Sequence, residues 1–246
     1  MIKAVIFDLD GTLIQTEELK ARSYAQATHL LTKRMVSEED VLDVFGDLVG
    51  LSREKVLQGL VKEFQIEFKS SLETEALFEI EQKLIEKRLE IYHEILEDVD
   101  MLSEHFCEDT LGLFRKIAEE KHCKVVLATM SHLLEAKKVT SVIGIYDKFD
   151  LILTKDDVEN GKPNPEIYLK AIEKLQLRSN ECLVLEDSVN GIKAAKAAKI
   201  PVFAVTNSIT RKSVLESNLV QPEFLVDNMK NLSGQVFNFI QSMKDQ

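Results

Sequence analysis

The chain has 246 residues, of which 45% are hydrophobic and 30% charged, a composition typical of a folded globular protein and not of a disordered one. Its 31 basic and 42 acidic residues leave a net charge of −11, which disfavours nucleic acid as a partner because the phosphate backbone would be repelled. The three cysteines form no CxxC pair, and no apolar run reaches the roughly 20 residues of a membrane span. We therefore expect a reduced, cytoplasmic protein that does not enter a membrane and is a monomer or a weak homodimer.

Short apolar runs of strand length alternate with helical stretches over much of the chain. The predicted strands are residues 4–7, 125–128, 151–153, 183–185 and 201–205, and the predicted helices are 109–121, 132–143, 165–176 and 188–199. Continuous apolar strands are typical of a parallel sheet that is buried on both faces. The alternation predicts an α/β fold with a doubly wound, mostly parallel, Rossmann-like sheet.

The segment 15–96 differs from the rest because it shows no strand pattern. Apolar residues recur in it at helical spacing, which predicts one long amphipathic helix through Leu77, Ile80, Leu84, Ile91 and Ile95. Ser37 and Ser52 each precede acidic residues, as at helix starts. We expect an all-helical cap domain over 15–96, inserted into a core made of 1–14 and 97–246.

Two carboxylates, Asp8 and Asp10, follow the first predicted strand and precede Gly11. In open α/β sheets, ligands bind just beyond the carboxyl ends of the strands. A carboxylate can attack phosphorus when a cation such as Mg²⁺ reduces the repulsion between the two anions, and a second acid can protonate the leaving oxygen. The same residues would also suit a turn at Asp10-Gly11, in which both aspartates are only polar turn residues.

Thr129 and Lys162 follow later strands. The Thr129 hydroxyl, with the backbone N–H groups of Met130 and Ser131, could hold phosphate oxygens or instead cap a helix. Lys162 lies in a loop stiffened by Pro163, where its ammonium could offset phosphoryl charge or simply be solvated.

Glu186 and Asp187 directly follow the fourth predicted strand. Adjacent acids at the end of a buried strand are costly unless a cation or a helix terminus uses them. The pair therefore indicates either metal ligands or an acidic start of the next helix.

Four motifs in order carry a resemblance to a known family: Phe7-Asp8-Leu9-Asp10-Gly11-Thr12-Leu13, Ala128-Thr129-Met130-Ser131, Gly161-Lys162-Pro163-Asn164-Pro165-Glu166 and Leu185-Glu186-Asp187-Ser188. The set resembles the haloacid dehalogenase (HAD) superfamily over nearly the whole chain. The subgroup suggested has a helical cap after the first motif and includes β-phosphoglucomutase-like phosphatases. The resemblance implies a Mg²⁺-dependent phosphatase acting on a small phosphorylated metabolite.

The resemblance also implies a role for each motif residue. Asp8 would be the nucleophile and a Mg²⁺ ligand, and Asp10 the general acid and base with its backbone carbonyl on the metal. Phosphate would be bound by Thr129, Met130 and Lys162, and the metal site would be completed by Asp187 and Glu186. An aspartate at position 10 is typical of the relatives that act on phosphate esters.

The cap segment carries further substrate-contact candidates. The run Gly50-Leu51-Ser52-Arg53-Glu54 resembles a cap loop from which Arg53 could bind a substrate anion, although a solvated first-turn arginine is equally compatible. Thr16 and Lys20 are the other candidates, and Lys20 stands where the mutase has a histidine. Lys199 stands where many relatives have a glycine.

Two other functions remain open at this point. A β-phosphoglucomutase-like phosphomutase would need a second anion site, for which Arg53 is the candidate. A binding module without activity would be expected to have lost Asp8 or a metal acid, and this chain retains both.

Overall fold

The computed structural model describes residues 1–48, 51–120 and 122–244, and divides into two compact units. The core unit comprises Met1–Gln15 and the described residues from Ser103 onward, and the helical unit comprises the described part of Thr16–Leu102. The sequence predicted domain boundaries between residues 14 and 15 and between residues 96 and 97. The second division comes later because another short helix, Val99–Ser103, forms before the chain continues into the core unit.

The described residues of the helical unit contain helices and no strand. They are α1 (Glu17–Leu31), α2 (Glu38–Leu48), α3 (Arg53–Glu63), α4 (Gln65–Leu72), α5 (Leu77–Ile95) and α6 (Val99–Ser103), the last ending at the boundary. The predicted long amphipathic helix is α5, and Ile80, Leu84, Ile91 and Ile95 lie on its buried face. Ser52 caps α3 by accepting a hydrogen bond from the Lys55 N–H. Gly50 of the predicted cap loop lies outside the described residues.

The core unit contains a six-stranded sheet in which every pair of neighbours is parallel. Its strands are β1 (Ala4–Phe7), β2 (Lys124–Ala128), β3 (Leu151–Leu153), β4 (Cys182–Glu186), β5 (Val202–Val205) and β6 (Leu225–Val226), in the order β3-β2-β1-β4-β5-β6. The predicted α/β fold class is confirmed. The two-residue strand β6 was not predicted, because so short a run carries no periodicity.

Six helices of the core unit connect or follow these strands: α7 (Glu108–Glu119), α8 (Leu133–Val142), α9 (Glu166–Leu175), α10 (Val189–Ala197), α11 (Arg211–Ser217) and α12 (Leu232–Ser242). The predicted starts at 165 and 188 are the residues that flank α9 and α10, Pro165 and Ser188, and not their first helical residues. No helix in the described part of the chain has the length and apolar character needed to span a bilayer.

The strand register determines which residues leave the sheet together. Phe7 of β1 pairs with Leu127 of β2 on one side and with Leu185 of β4 on the other. The residues that follow these three therefore emerge at the same edge of the sheet, the edge where α/β proteins bind ligands. The order in which the strands are added changes direction at β1: β2 and β3 lie on one side of it, and β4, β5 and β6 lie on the other.

Lys199 occupies a left-handed backbone position, with φ of +59°, at the end of α10. Its N–H donates to the Lys196 carbonyl (2.9 Å), and the Ile200 N–H donates to the Ala195 carbonyl (3.0 Å), the pattern of a Schellman cap. Lys199, which stands where many relatives have a glycine, thus has a backbone conformation that glycine adopts without steric cost.

We predict that Lys199→Gly raises the free energy of unfolding by about 0.5 kcal/mol, because relief of left-handed strain outweighs the added chain entropy of glycine. The matched control is Lys193→Gly, an exposed position inside α10, which should lower stability by about 1 kcal/mol. Urea unfolding of both variants measures the difference. Equal destabilisation by both substitutions would contradict this account of Lys199.

Candidate active site

Three carboxylates meet at the carboxyl edge of the sheet. One oxygen from each of Asp8, Glu186 and Asp187 lies within 4.8 Å of the others, the one potential metal-binding group of acids, histidines or cysteines among the described residues. Asp8 follows β1 and Glu186 ends the adjacent strand β4, so backbone pairing alone brings them together. Their exposed fractions are only 6%, 1% and 4% for Asp8, Glu186 and Asp187. Buried carboxylates at this spacing remain ionised only if a cation compensates their charge.

Lys162 supplies one positive charge to this group. Its Nζ donates to Asp8 Oδ1 (2.6 Å), to the Ala128 carbonyl (2.9 Å) and to Glu186 Oε1. The side chain is 5% exposed, so the alternative of a solvated loop lysine is wrong. The Lys162–Pro163 peptide bond is cis, and Pro165 follows two residues later, immediately before α9.

The charges of this cluster do not balance. Burial raises the pKa of Asp8 to about 8 despite the opposing charge of Lys162, and burial beside Glu186 and Asp8 raises the pKa of Asp187 well above its usual range. The pKa of Lys162 is lowered by burial, but Asp8 and Glu186 raise it well above its ordinary value overall. Three carboxylates against one ammonium therefore leave a deficit of positive charge. Carboxylate oxygens are the donors that Mg²⁺ prefers, so these residues fit that ion.

The Asp10 carboxylate accepts hydrogen bonds from hydroxyl groups. Its Oδ2 accepts hydrogen bonds from Ser131 Oγ (2.6 Å) and Thr129 Oγ1 (3.3 Å), and the Ser131 N–H in turn donates to Thr129 Oγ1 (3.0 Å). Two chemically equivalent side chains thus have different environments, one paired with an ammonium and the other with alcohols. Different environments allow two carboxylates to take different roles.

Met130, expected to contribute its backbone to phosphate binding, contacts the lysine loop through its side chain. The Lys162 N–H points at Met130 Sδ (3.4 Å), and Met130 packs against the hydrophobic core of the sheet. The structure therefore brings Thr129, Met130 and Lys162 to one place, next to both aspartates.

Glu186 is held by more groups than the sequence indicated. Its Oε1 accepts from the buried Tyr168 hydroxyl (3.0 Å), and its Oε2 accepts from the N–H (3.1 Å) and Oγ (3.0 Å) of Ser188. Ser188 also caps α10, because its Oγ accepts from the Gly191 N–H (3.0 Å). The metal and helix-start interpretations of this segment are therefore compatible with each other.

The turn after Asp10 is packed against Asp187. Gly11 has φ of +83°, and a Cβ at that position would lie 2.1 Å from Asp187 Oδ2, so only glycine fits. The Gly11 carbonyl accepts hydrogen bonds from Gln15 Nε2 (3.1 Å) and Asn207 Nδ2 (3.2 Å). Sequence reasoning missed Asn207 as a site residue, although it lies two residues beyond the end of β5 and hence at the same edge of the sheet.

The three cap candidates belong to the helical unit. Thr16 is buried directly before α1, Lys20 Nζ pairs with Glu17 Oε1 (2.9 Å), and Arg53 is the first residue of α3. Burial raises the pKa of Tyr24, while the charges of Arg88, Arg53 and Lys20 lower it. The positive charges of Arg53 and Lys20 therefore both favour the ionised form of the Tyr24 hydroxyl.

A family profile described as haloacid dehalogenase-like hydrolase matches residues 2–199 of this chain. The chain belongs to that hydrolase family. Among curated relatives, the phosphorylated carbohydrates phosphatase of Thermotoga maritima is 29% identical over 236 residues, covering 94% of this chain and 100% of the relative. The pyrophosphatase PpaX of Bacillus thuringiensis is 26% identical over 231 residues, covering 94% of each.

Solved structures of this hydrolase family have the same architecture. A crystal structure of β-phosphoglucomutase from Clostridium difficile superimposes with a TM-score of 0.67 and 25% identity, covering 100% of this chain and 98% of that one. The expected resemblance to the HAD superfamily and its β-phosphoglucomutase-like subgroup is thereby confirmed, and the protein is an enzyme.

We predict that replacing the buried lysine of this hydrolase, Lys162→Met, lowers the free energy of unfolding by about 3 kcal/mol in EDTA, because the neighbouring carboxylates lose their ammonium partner. The matched control is Lys170→Met, which removes a partly exposed pair with Glu166 (2.9 Å) and a hydrogen bond to the Asp157 carbonyl (2.6 Å), and should cost about 1 kcal/mol. Denaturant unfolding of both variants without divalent cations measures this. Similar losses would show that Lys162 is not an essential counter-charge.

Proposed function

We propose that this hydrolase is a Mg²⁺-dependent phosphatase that acts on a small phosphomonoester through an aspartyl-phosphate on Asp8, with Asp10 as general acid and base. The observation that carries the proposal is the different hydrogen-bond environment of the two carboxylates. Asp8 lies in the buried acid cluster and accepts a hydrogen bond from Lys162, whereas Asp10 accepts hydrogen bonds from Thr129 and Ser131. The names of the homologues, a phosphatase and a pyrophosphatase, support phosphate as the group transferred.

The first half-reaction transfers the phosphoryl group to the protein. An Asp8 carboxylate oxygen attacks phosphorus, the bond from phosphorus to the leaving alcohol breaks, and Asp10 donates a proton to that alcohol oxygen. Lys162 already contacts Asp8 Oδ1, so its ammonium is placed to offset charge on the transferring group. Mg²⁺ held by Asp8, Asp187, Glu186 and the Asp10 carbonyl would supply the remaining charge neutralisation on phosphate oxygens.

The second half-reaction regenerates the carboxylate. Water gives a proton to Asp10 and attacks phosphorus, the bond from phosphorus to the Asp8 oxygen breaks, and inorganic phosphate leaves. Thr129 and Lys162, with the backbone of Met130, would hold the phosphoryl oxygens in both halves, so that the enzyme's contribution is positioning and charge stabilisation.

Asp8→Asn is expected to reduce phosphate release from an aryl phosphate by at least about 10³-fold, since an amide oxygen is a poor nucleophile toward phosphorus. Phosphate release in the presence of Mg²⁺, together with the mass of acid-quenched protein, measures turnover and the covalent intermediate. The control is Asp147→Asn, an exposed aspartate in the short 3-10 helix before β3, which should behave as wild type. Wild-type turnover by Asp8→Asn would rule out this nucleophile.

Asp10→Asn tests the acid role through the leaving group. Loss of a general acid costs on the order of 10²- to 10⁴-fold, and the cost falls when the leaving group needs no proton. Provided that phosphorylation of Asp8 limits turnover, kcat should fall much further for an alkyl phosphate than for a p-nitrophenyl phosphate. A change confined to KM, equal for both substrates, would remove Asp10 from proton transfer.

A β-phosphoglucomutase-like phosphomutase is the second candidate, favoured by the match to a solved mutase along the full chain. Lys20 is paired with Glu17 at the position where the mutase has a histidine, which favours the phosphatase. Product analysis separates the two. Conversion of a sugar 1-phosphate into its 6-phosphate with little phosphate released would establish the mutase.

We further propose that the substrate is a small phosphorylated metabolite, with phosphorylated carbohydrates the first class to test because a relative is named for them. A cytoplasmic location agrees with three cysteines that form no disulfide.

Arg53 and Lys20 are the proposed anion contacts of the helical unit, with Thr16 as a further candidate. A monomer or weak homodimer remains a prediction, which light scattering at two protein concentrations would test.

A further inference from the structure

Asn207 uses its whole side-chain amide in hydrogen bonds. Its Nδ2 donates to Asp187 Oδ2 (2.9 Å) and to the Gly11 carbonyl (3.2 Å), while its Oδ1 accepts from the N–H groups of Ile209 and Thr210 (2.9 Å each). Backbone N–H groups can only donate, so these two bonds determine which end of the amide faces Asp187. Asn207 therefore presents its NH₂ group to a carboxylate and a carbonyl at the same time.

Asp187 differs from the other two acids because its hydrogen-bond donor is a neutral amide and not the Lys162 ammonium. Asp8 and Glu186 share Lys162, and Glu186 also accepts from Tyr168 and Ser188. Within residues 1–48, 51–120 and 122–244, Asn207 is the one group that donates a hydrogen bond to the Asp187 carboxylate. The bond uses Oδ2, the oxygen that also lies against Gly11, and leaves Oδ1 without a hydrogen bond from the described residues.

The same amide joins three strand ends. Gly11 follows β1, Asp187 follows β4, and Asn207 follows β5, which lies next to β4 in the sheet. A single side chain from β5 thus connects the turn that carries Asp8 and Asp10 to the acid that follows Glu186.

We propose that Asn207 is a positioning residue of the cation site: it holds Asp187 against the Gly11 turn, so that the third carboxylate of the cluster is directed at Mg²⁺. This role rests on the Mg²⁺ site of the proposed function. Groups that orient metal-binding side chains typically change metal affinity by about 10- to 100-fold when they are removed. Asn207 would act through Asp187 and does not itself contact the substrate.

Calorimetric titration of the full chain with Mg²⁺ tests the proposal without relying on catalysis. Asn207→Ala removes both the donor to Asp187 and the acceptor for the two backbone N–H groups. Asn207→Ser keeps a hydroxyl that can accept from those N–H groups, but is too short to reach Asp187 and Gly11. We expect both variants to bind Mg²⁺ about 10- to 100-fold more weakly than wild type.

The matched control is Asn228→Ala. Asn228 Oδ1 accepts from the Lys230 N–H (3.2 Å), so this substitution also removes an asparagine that accepts a backbone hydrogen bond, but one that caps the short 3-10 helix Met229–Asn231 after β6. Its Mg²⁺ affinity should equal that of wild type. The thermal unfolding midpoint in EDTA, measured for all variants, separates a general loss of stability from a loss of affinity.

Three outcomes would overturn the role of Asn207. Wild-type affinity in both Asn207 variants would show that Asp187 needs no positioning. Wild-type affinity in Asn207→Ser alone would assign the effect of Asn207→Ala to the backbone turn. No Mg²⁺ binding by the wild-type chain would instead refute the metal site of the proposed function, and the role of Asn207 with it.

Discussion

Lys162 is a buried ammonium held between the carboxylates of Asp8 and Glu186, and the other features of the active site depend on this contact. Without it, the three buried acids would lie together with no ion pair to a basic side chain among residues 1–48, 51–120 and 122–244. With it, one charge is compensated, and the remaining deficit makes the cluster suited to a divalent cation. The lysine thereby sets the charge balance on which the proposed phosphate and Mg²⁺ binding would depend.

The parallel sheet explains why these groups meet although they are far apart in the chain. β1 lies between β2 and β4, so Asp8, Thr129 and Glu186 leave the sheet side by side. The loop that carries Lys162 returns to the same edge ahead of α9. Hydroxyl groups that follow β2 donate hydrogen bonds to Asp10, whereas the Lys162 ammonium donates to Asp8. The two aspartates therefore have different environments, which allows them different chemistry.

Much of this arrangement was predictable from local patterns. Five of the six strands, the long helix α5 and the capping role of Ser52 follow from apolar periodicity and helix-start residues. The four motifs indicated the site because each follows a strand of one parallel sheet. Tyr168 and Asn207 escaped prediction, since a buried tyrosine in a helix and an asparagine in a turn have ordinary structural explanations until their partners are known.

The sequence by itself determined the fold class, the family and the residue types that could perform phosphate chemistry, because these depend on periodicity and on short motifs read along the chain. The tertiary structure decided between the alternatives at Lys162 and Ser188. Lys162 is a buried counter-charge and not a solvated loop residue, and Ser188 both caps a helix and donates to Glu186. The structure also shows the hydrogen bond from Asn207 to Asp187. These distinctions depend on burial and on hydrogen bonds between side chains from different strands, and sequence spacing does not encode those distances.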